Sequence, residues 1–187
     1  MKRILFFTLL ISIQSFGQIK GASFTAKEFS KDIALFKAKE FLFRDVFISN
    51  NEVVQFETIP LAASNSGELT TLLYRCDSKN LDGLILGFYG NYWNESGVSY
   101  QGYAFKNLNK SKAVDFLNKI DKAIEDNSKF LRSSNDNNNI FFKFEDIDVL
   151  IWTGSGGYTI RLFWNGFDSS WEKTAFERSK RRFEKKI

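Results

Sequence analysis

Any chemistry in this chain has to be carried without imidazole, because its 187 residues include no histidine. That excludes Ser-His-Asp and Cys-His nucleophilic sites, histidine general bases and the usual imidazole-ligated zinc sites. Carboxylate, lysine, tyrosine and single-cysteine chemistry are left. The residues best suited to recognition are Tyr92, Trp93 and Tyr100, grouped around the polar stretch Asn94-Glu95-Ser96-Gly97. Tyr and Trp rings near a loop tip can stack on sugar rings or apolar ligands while their polar edges stay in water. The competing reading is packing, since aromatic side chains favour strands whatever the function.

Three acids are candidates for bond-breaking chemistry. Glu95 sits in the same polar stretch, and Glu145 and Asp148 flank a short acidic turn. Glycoside hydrolysis needs two carboxyl groups at a set separation, and no spacing in the sequence pairs these. The run Glu145, Asp146, Asp148 follows no complete calcium-loop pattern and reads as turn chemistry, so no metal is expected. Gly154-Ser155-Gly156-Gly157 has the composition of a phosphate-cradling loop, but it lacks the lysine and the following helix, and it too reads as a turn. Cys76, the only cysteine, cannot form an internal disulfide. In the stretch TTLLYRC it shares a strand face with Leu72 and Tyr74, which points to a buried, inert thiol rather than a reactive or partner-linking one.

The elements that must position these groups follow from periodicity. Residues 82–107 read as one long antiparallel hairpin: Leu84, Leu86 and Phe88 alternate with Ile85 and Tyr89 on one arm, and Tyr100 and Ala104 alternate with Gln101, Tyr103 and Phe105 on the other. Gly97 suits the positive φ at the end of a type I turn closed by a bulge. Two strands precede the hairpin, one over residues 52–59 that Pro60 terminates and one over 69–76. After it come an alternating pair around Glu145-Asp146 and a last strand from Tyr158 to Trp164.

Helical spacing marks three further segments. Ala26, Phe29, Ile33 and Phe36 predict a helix over 26–39, preceded by the capping box Thr25 to Glu28. Ala113, Leu117, Ile120, Ile124 and Leu131 form the apolar stripe of a second helix, capped by Asn109 or Ser111. Ser169 with Glu172 reads as another capping box ahead of a C-terminal helix, and residues 132–139, RSSNDNNN, read as a mobile polar loop. The fold expected is α+β: one twisted antiparallel sheet of about seven strands packed by three helices.

Residues 1–17 have the zones of a secretory signal, with Lys2-Arg3, an apolar run from Ile4 to Ile13, and small residues at Ser15 and Gly17. Cleavage is expected between Gly17 and Gln18, leaving 18–187 as a single exported domain, periplasmic or secreted. The apolar run is far shorter than the roughly twenty residues that cross a bilayer, so no transmembrane helix is expected. The formal charge of +4 falls by the two charges of Lys2 and Arg3 on the expected cleavage, which leaves too little to name a partner. It is concentrated at the C-terminus, where residues 169–187 carry seven Lys or Arg against three Glu. The pairs Lys173 with Glu177, Glu177 with Arg181, and Lys180 with Glu184 stand four apart and should offset one another, and nucleic acid is not an expected partner. The function that follows is an exported binding module without a cofactor, recognising a glycan, an apolar ligand or an envelope protein through Tyr92, Trp93 and Tyr100. The alternative is a His-free hydrolase acting on glycans through paired carboxylates.

Overall fold

The computed structural model describes residues 34–48, 51–93, 96, 99–134 and 136–187. The expected signal segment, the capping box at Thr25 and the first part of the first helix lie outside the described residues, as do Glu95 and Gly97.

Among the described residues eight strands form two four-stranded antiparallel meanders rather than one sheet of about seven strands. The first comprises β1 (Glu57–Ala63), β2 (Leu69–Cys76), β3 (Leu81–Trp93) and β4 (Ser99–Asn109). The second comprises β5 (Asn139–Phe144), β6 (Ile147–Gly154), β7 (Gly157–Trp164) and β8 (Phe167–Glu172). They meet at one ladder pair, Tyr92 with Phe167. The reason lies in the length of β3. Its thirteen residues outrun β2, whose register ends with Leu69 opposite Phe88, and β8 takes up the vacated edge beyond it. Glu68 stitches the step: its carbonyl accepts from the Tyr89 amide at 2.8 Å and from Ser169 Oγ at 3.1 Å, and its carboxylate accepts from the Ser170 amide at 3.1 Å.

Among the described residues four α-helices pack on these meanders, where three were expected. Helix α1 (Ala34–Phe41) continues into a wider π-type turn over Leu42–Val46, closed by the Phe47 amide on the Leu42 carbonyl at 2.8 Å. The stripe read as one helix through Leu131 is broken at Asn127 into α2 (Lys110–Asp126) and α3 (Ser128–Ser133). Asn127 turns its side-chain amide back onto the Ala123 carbonyl at 2.9 Å, the kind of local bond with which Asn competes against helix continuation. Asn109 is the N-cap of α2, accepting from the Lys112 amide at 3.0 Å.

The capping-box reading of Ser169 and Glu172 is corrected. Residues 167–172 are β8, Glu172 makes no side-chain cap, and α4 runs Lys173–Lys186. Phe167, Ser169 and Trp171 point inward at period two, and Asn165 and Gly166, both at positive φ (50° and 79°), make the two-residue turn that sends β7 back as β8. Pro60 does not end β1. An edge strand can spare the missing N–H, and β1 continues to Ala63 past an irregularity between Pro60 and Ala62. The polar loop is tied down rather than loose: the Asp136 amide donates to the Thr153 carbonyl at 2.8 Å, and Asn138 Nδ2 donates to the Phe130 carbonyl at 2.6 Å.

The inner faces of both meanders share one core with α2 and α4, built around Phe88, Phe116, Ile151, Leu162, Trp171, Phe176 and Phe183. The opposite face of the first meander is closed by α1 over Leu72, Tyr74, Cys76, Ile85 and Phe105. This double covering is why almost every residue of β2 is buried. Cys76 lies in that second cluster as a buried free thiol, its Sγ 3.5 Å from Ser78 Oγ. Among the described residues, no helix is long and apolar enough to cross a membrane.

Candidate functional site

The three aromatic residues read from the sequence sit at the far end of the β3–β4 hairpin. Their backbones are paired, Tyr92 with Tyr100 and Trp93 with Ser99, and Tyr92 also pairs with Phe167 of β8. Their side chains lie outside the described residues. The ladder nonetheless fixes where the hairpin ends: beside the β7–β8 turn, at the seam between the meanders.

A groove of about 400 Å³ opens at that seam, lined by Asp146, Asp148, Phe163, Trp164, Asn165, Gly166, Phe167 and Asp168. Trp164 is held from several sides. Its ring lies 5.2 Å from Phe88, its indole N–H donates to Asp146 Oδ2 at 2.8 Å, and Lys106 Nζ stands 5.7 Å from the ring centroid. Lys106 also pairs with Asp146 Oδ1 at 2.6 Å. Burial alone would push the Asp146 carboxyl up, but the Lys106 and Trp164 hydrogen bonds outweigh it and hold the group below its ordinary value.

On the outer face of the second meander the ladder places Lys143, Asp148, Phe163 and Asp168 in one cross-strand row. Directly opposite side chains on neighbouring strands stand about 5 Å apart. Phe163 is 37% exposed and has an acid on either side. Each acid has its own cation: Lys143 meets Asp148 Oδ1 at 3.1 Å, and Arg161 grips Asp168 through both Nε and Nη2, the latter at 2.8 Å. Arg161 Nη1 adds a bond to Ser170 Oγ at 2.8 Å. The Asp168 hydrogen bonds raise the Arg161 pKa further, so the guanidinium keeps its charge.

Of the acids named for catalysis, the two among the described residues, Glu145 and Asp148, do not converge. Glu145 pairs with Lys112 of α2 at 2.5 Å, on the helical side of the sheet, whereas Asp148 faces the outer side with Lys143. Among the described residues no three acidic or thiol groups come together as a metal-binding cluster. No family model matches the chain, and neither curated proteins nor solved structures show a significant match to it.

Sequence reasoning found the hairpin but missed Phe163, Trp164, Asn165 and Asp168 as parts of a site. The signal was present in Asn165-Gly166, since Asn-Gly between alternating segments is the strongest short hairpin mark. It would have placed Trp164 opposite Phe167, and Phe163 opposite Asp168, in the next strand.

Proposed function

We propose that this protein is an exported glycan-binding module that holds a neutral sugar ring in the groove at the end of the β3–β4 hairpin. The observation that carries this is the row Asp148, Phe163, Asp168, in which an exposed ring lies between two carboxylates already neutralised by Lys143 and Arg161. A ring face offers stacking to the C–H face of a sugar. The flanking carboxylates keep lone pairs for its hydroxyls, because two oxygens offer about four acceptor sites and the cations use only part of them. With its charge compensated, the row suits a neutral polyhydroxylated ligand better than a cationic one. The backbone pairing of Tyr92 with Tyr100 and with Phe167 sets the hairpin arms that carry Tyr92, Trp93 and Tyr100 beside this groove. The zones of residues 1–17 support export.

The test is an array of neutral oligosaccharides followed by calorimetry on the best binder. Phe163→Ala and Trp93→Ala should each weaken binding by about tenfold, the scale of one aromatic stacking contact. Retention of no neutral glycan, or unaltered affinity in both variants, would overturn the reading.

A further inference from the structure

The C-terminal helix carries an asymmetry that its sequence conceals. Of the three offsetting pairs expected on α4, Lys173 with Glu177 (3.9 Å) and Lys180 with Glu184 (3.6 Å) form, and Glu177 with Arg181 does not. The Tyr158 hydroxyl of β7 donates to Glu177 Oε1 at 3.3 Å, so Glu177 is engaged by Tyr158 and Lys173 rather than by Arg181. Lys180 is further committed to Asp121 of α2. Each residue of a helix advances by about 100°, which gathers Arg178, Arg181, Arg182 and Lys185 on one flank and leaves Glu177 and Glu184 off it. All four cations are exposed. Among the described residues, none of them has an acid within ion-pairing distance, although Arg182 donates to the Leu61 carbonyl where β1 is irregular.

The opposite side of α4, with Ala175, Phe176, Ser179 and Phe183, is buried in the core. The helix therefore has no apolar stripe left to insert into a bilayer, and the flank away from Glu177 and Glu184 is a patch of positive charge. Spacing at three and four residues puts neighbouring cations about 5–6 Å apart.

We propose that this flank is a docking site for a linear polyanionic polysaccharide, with sulfate, phosphate or uronate groups held by the patch Arg178, Arg181, Arg182 and Lys185. A cationic patch with no apolar side chain to insert suits a hydrophilic chain of anions better than a lipid surface, where helix binding scales with buried apolar area. The site is separate from the groove at Phe163 and does not depend on it.

Heparin serves as the probe for the folded full chain, with vesicles containing anionic phosphatidylglycerol as a second arm. The triple variant R178Q/R181Q/K185Q removes the three cations that make no internal hydrogen bond, and K119Q/K122Q/K129Q removes as much charge from α2 and α3. At about 50 mM salt the first triple should lose roughly a hundredfold in heparin affinity, with the slope of log affinity against log salt falling by about two. The second triple should stay within about threefold of wild type. Equal losses in both triples would reduce the effect to net charge and overturn the proposal. Retention by anionic vesicles but not by heparin would also overturn it, assigning the flank to a membrane surface. Matching circular dichroism spectra for all three proteins establish that each reading comes from folded material.

Discussion

Replacing Phe88 tests the seam that creates the candidate site. Backbone pairing between the meanders amounts to one ladder pair, so their union rests on side chains, and Phe88 is the residue of β3 that reaches across. It is fully buried, with its ring 5.2 Å from Trp164 of β7 and 6.3 Å from Phe167 of β8. Phe88→Ala removes the ring's transfer free energy and leaves a cavity that neighbours from two sheets must collapse into, a cost of about 3–5 kcal/mol. Phe88→Leu keeps most of the volume and should cost about 1–1.5 kcal/mol. A domain of this kind commonly has about 5–15 kcal/mol in all, so the first variant loses a large share of its stability and the second stays well folded. Urea unfolding followed by tryptophan fluorescence gives the differences. Amide exchange adds a spatial reading: opening at the seam should deprotect Phe167 and Tyr92 before the β2–β3 ladder. Phe141, 61% exposed on β5, is the control, and its replacement by Ala should cost about 0.5 kcal/mol or less. A Phe88→Ala cost under about 1.5 kcal/mol, with exchange at Phe167 unaltered, would refute the seam.

Other perturbations probe individual contacts. At Gly87 a Cβ would come within 2.5 Å of Thr70 Oγ1 and 3.1 Å of Phe105, so Gly87→Ala should destabilise by about 1–3 kcal/mol in denaturant titration, and a neutral result would mean that β2 and β4 give way easily there. The Asp146 carboxyl is held below its ordinary value of 3.8, so the stability it supplies is present above that pH and lost as pH falls through the folded-state value. The gap between wild type and Asp146→Asn should therefore close in acid, and a gap constant down to about pH 2 would contradict the Lys106 and Trp164 assignments. Burial first and Glu177 second raise the Tyr158 hydroxyl above its ordinary 10, so its contribution is complete below pH 10 and declines as the unfolded chain ionises above it. Tyr158→Phe should flatten that alkaline decline, measured by thermal melts across the range. Buried Cys76 should react with a thiol reagent only as fast as the protein opens, and a rapid reaction in the native state would place the thiol elsewhere.

Strands were legible where alternation ran between turn residues. The span Leu69–Cys76 has the limits read from its residues, and the β3–β4 hairpin and β5 to β7 follow the same logic, because a strand with one face on the core must repeat every two residues. Residues 167–172 satisfied two local rules at once, a strand alternation and a capping-box spacing, and nothing within six residues arbitrates between them. The arbitration comes from β7 alongside and from Glu68, a hundred residues earlier, which accepts from Ser169 and Ser170. Pro60 was misjudged for a related reason: whether a missing N–H matters depends on whether its side of the strand has a neighbour.

What the sequence determined by itself was chemical and local. The absence of histidine, the lone cysteine, the aromatic hairpin and the amphipathic helices are properties of residue type and short-range period, which need no knowledge of distant partners. The division into two meanders, the groove and the charge pattern of α4 were decided only in three dimensions. Asp146 meets Lys106 across forty residues, Phe88 meets Trp164, and Tyr158 holds Glu177 from β7. Such contacts arise from which edges and faces remain uncovered once the core has closed, and short-range periodicity carries no record of that choice.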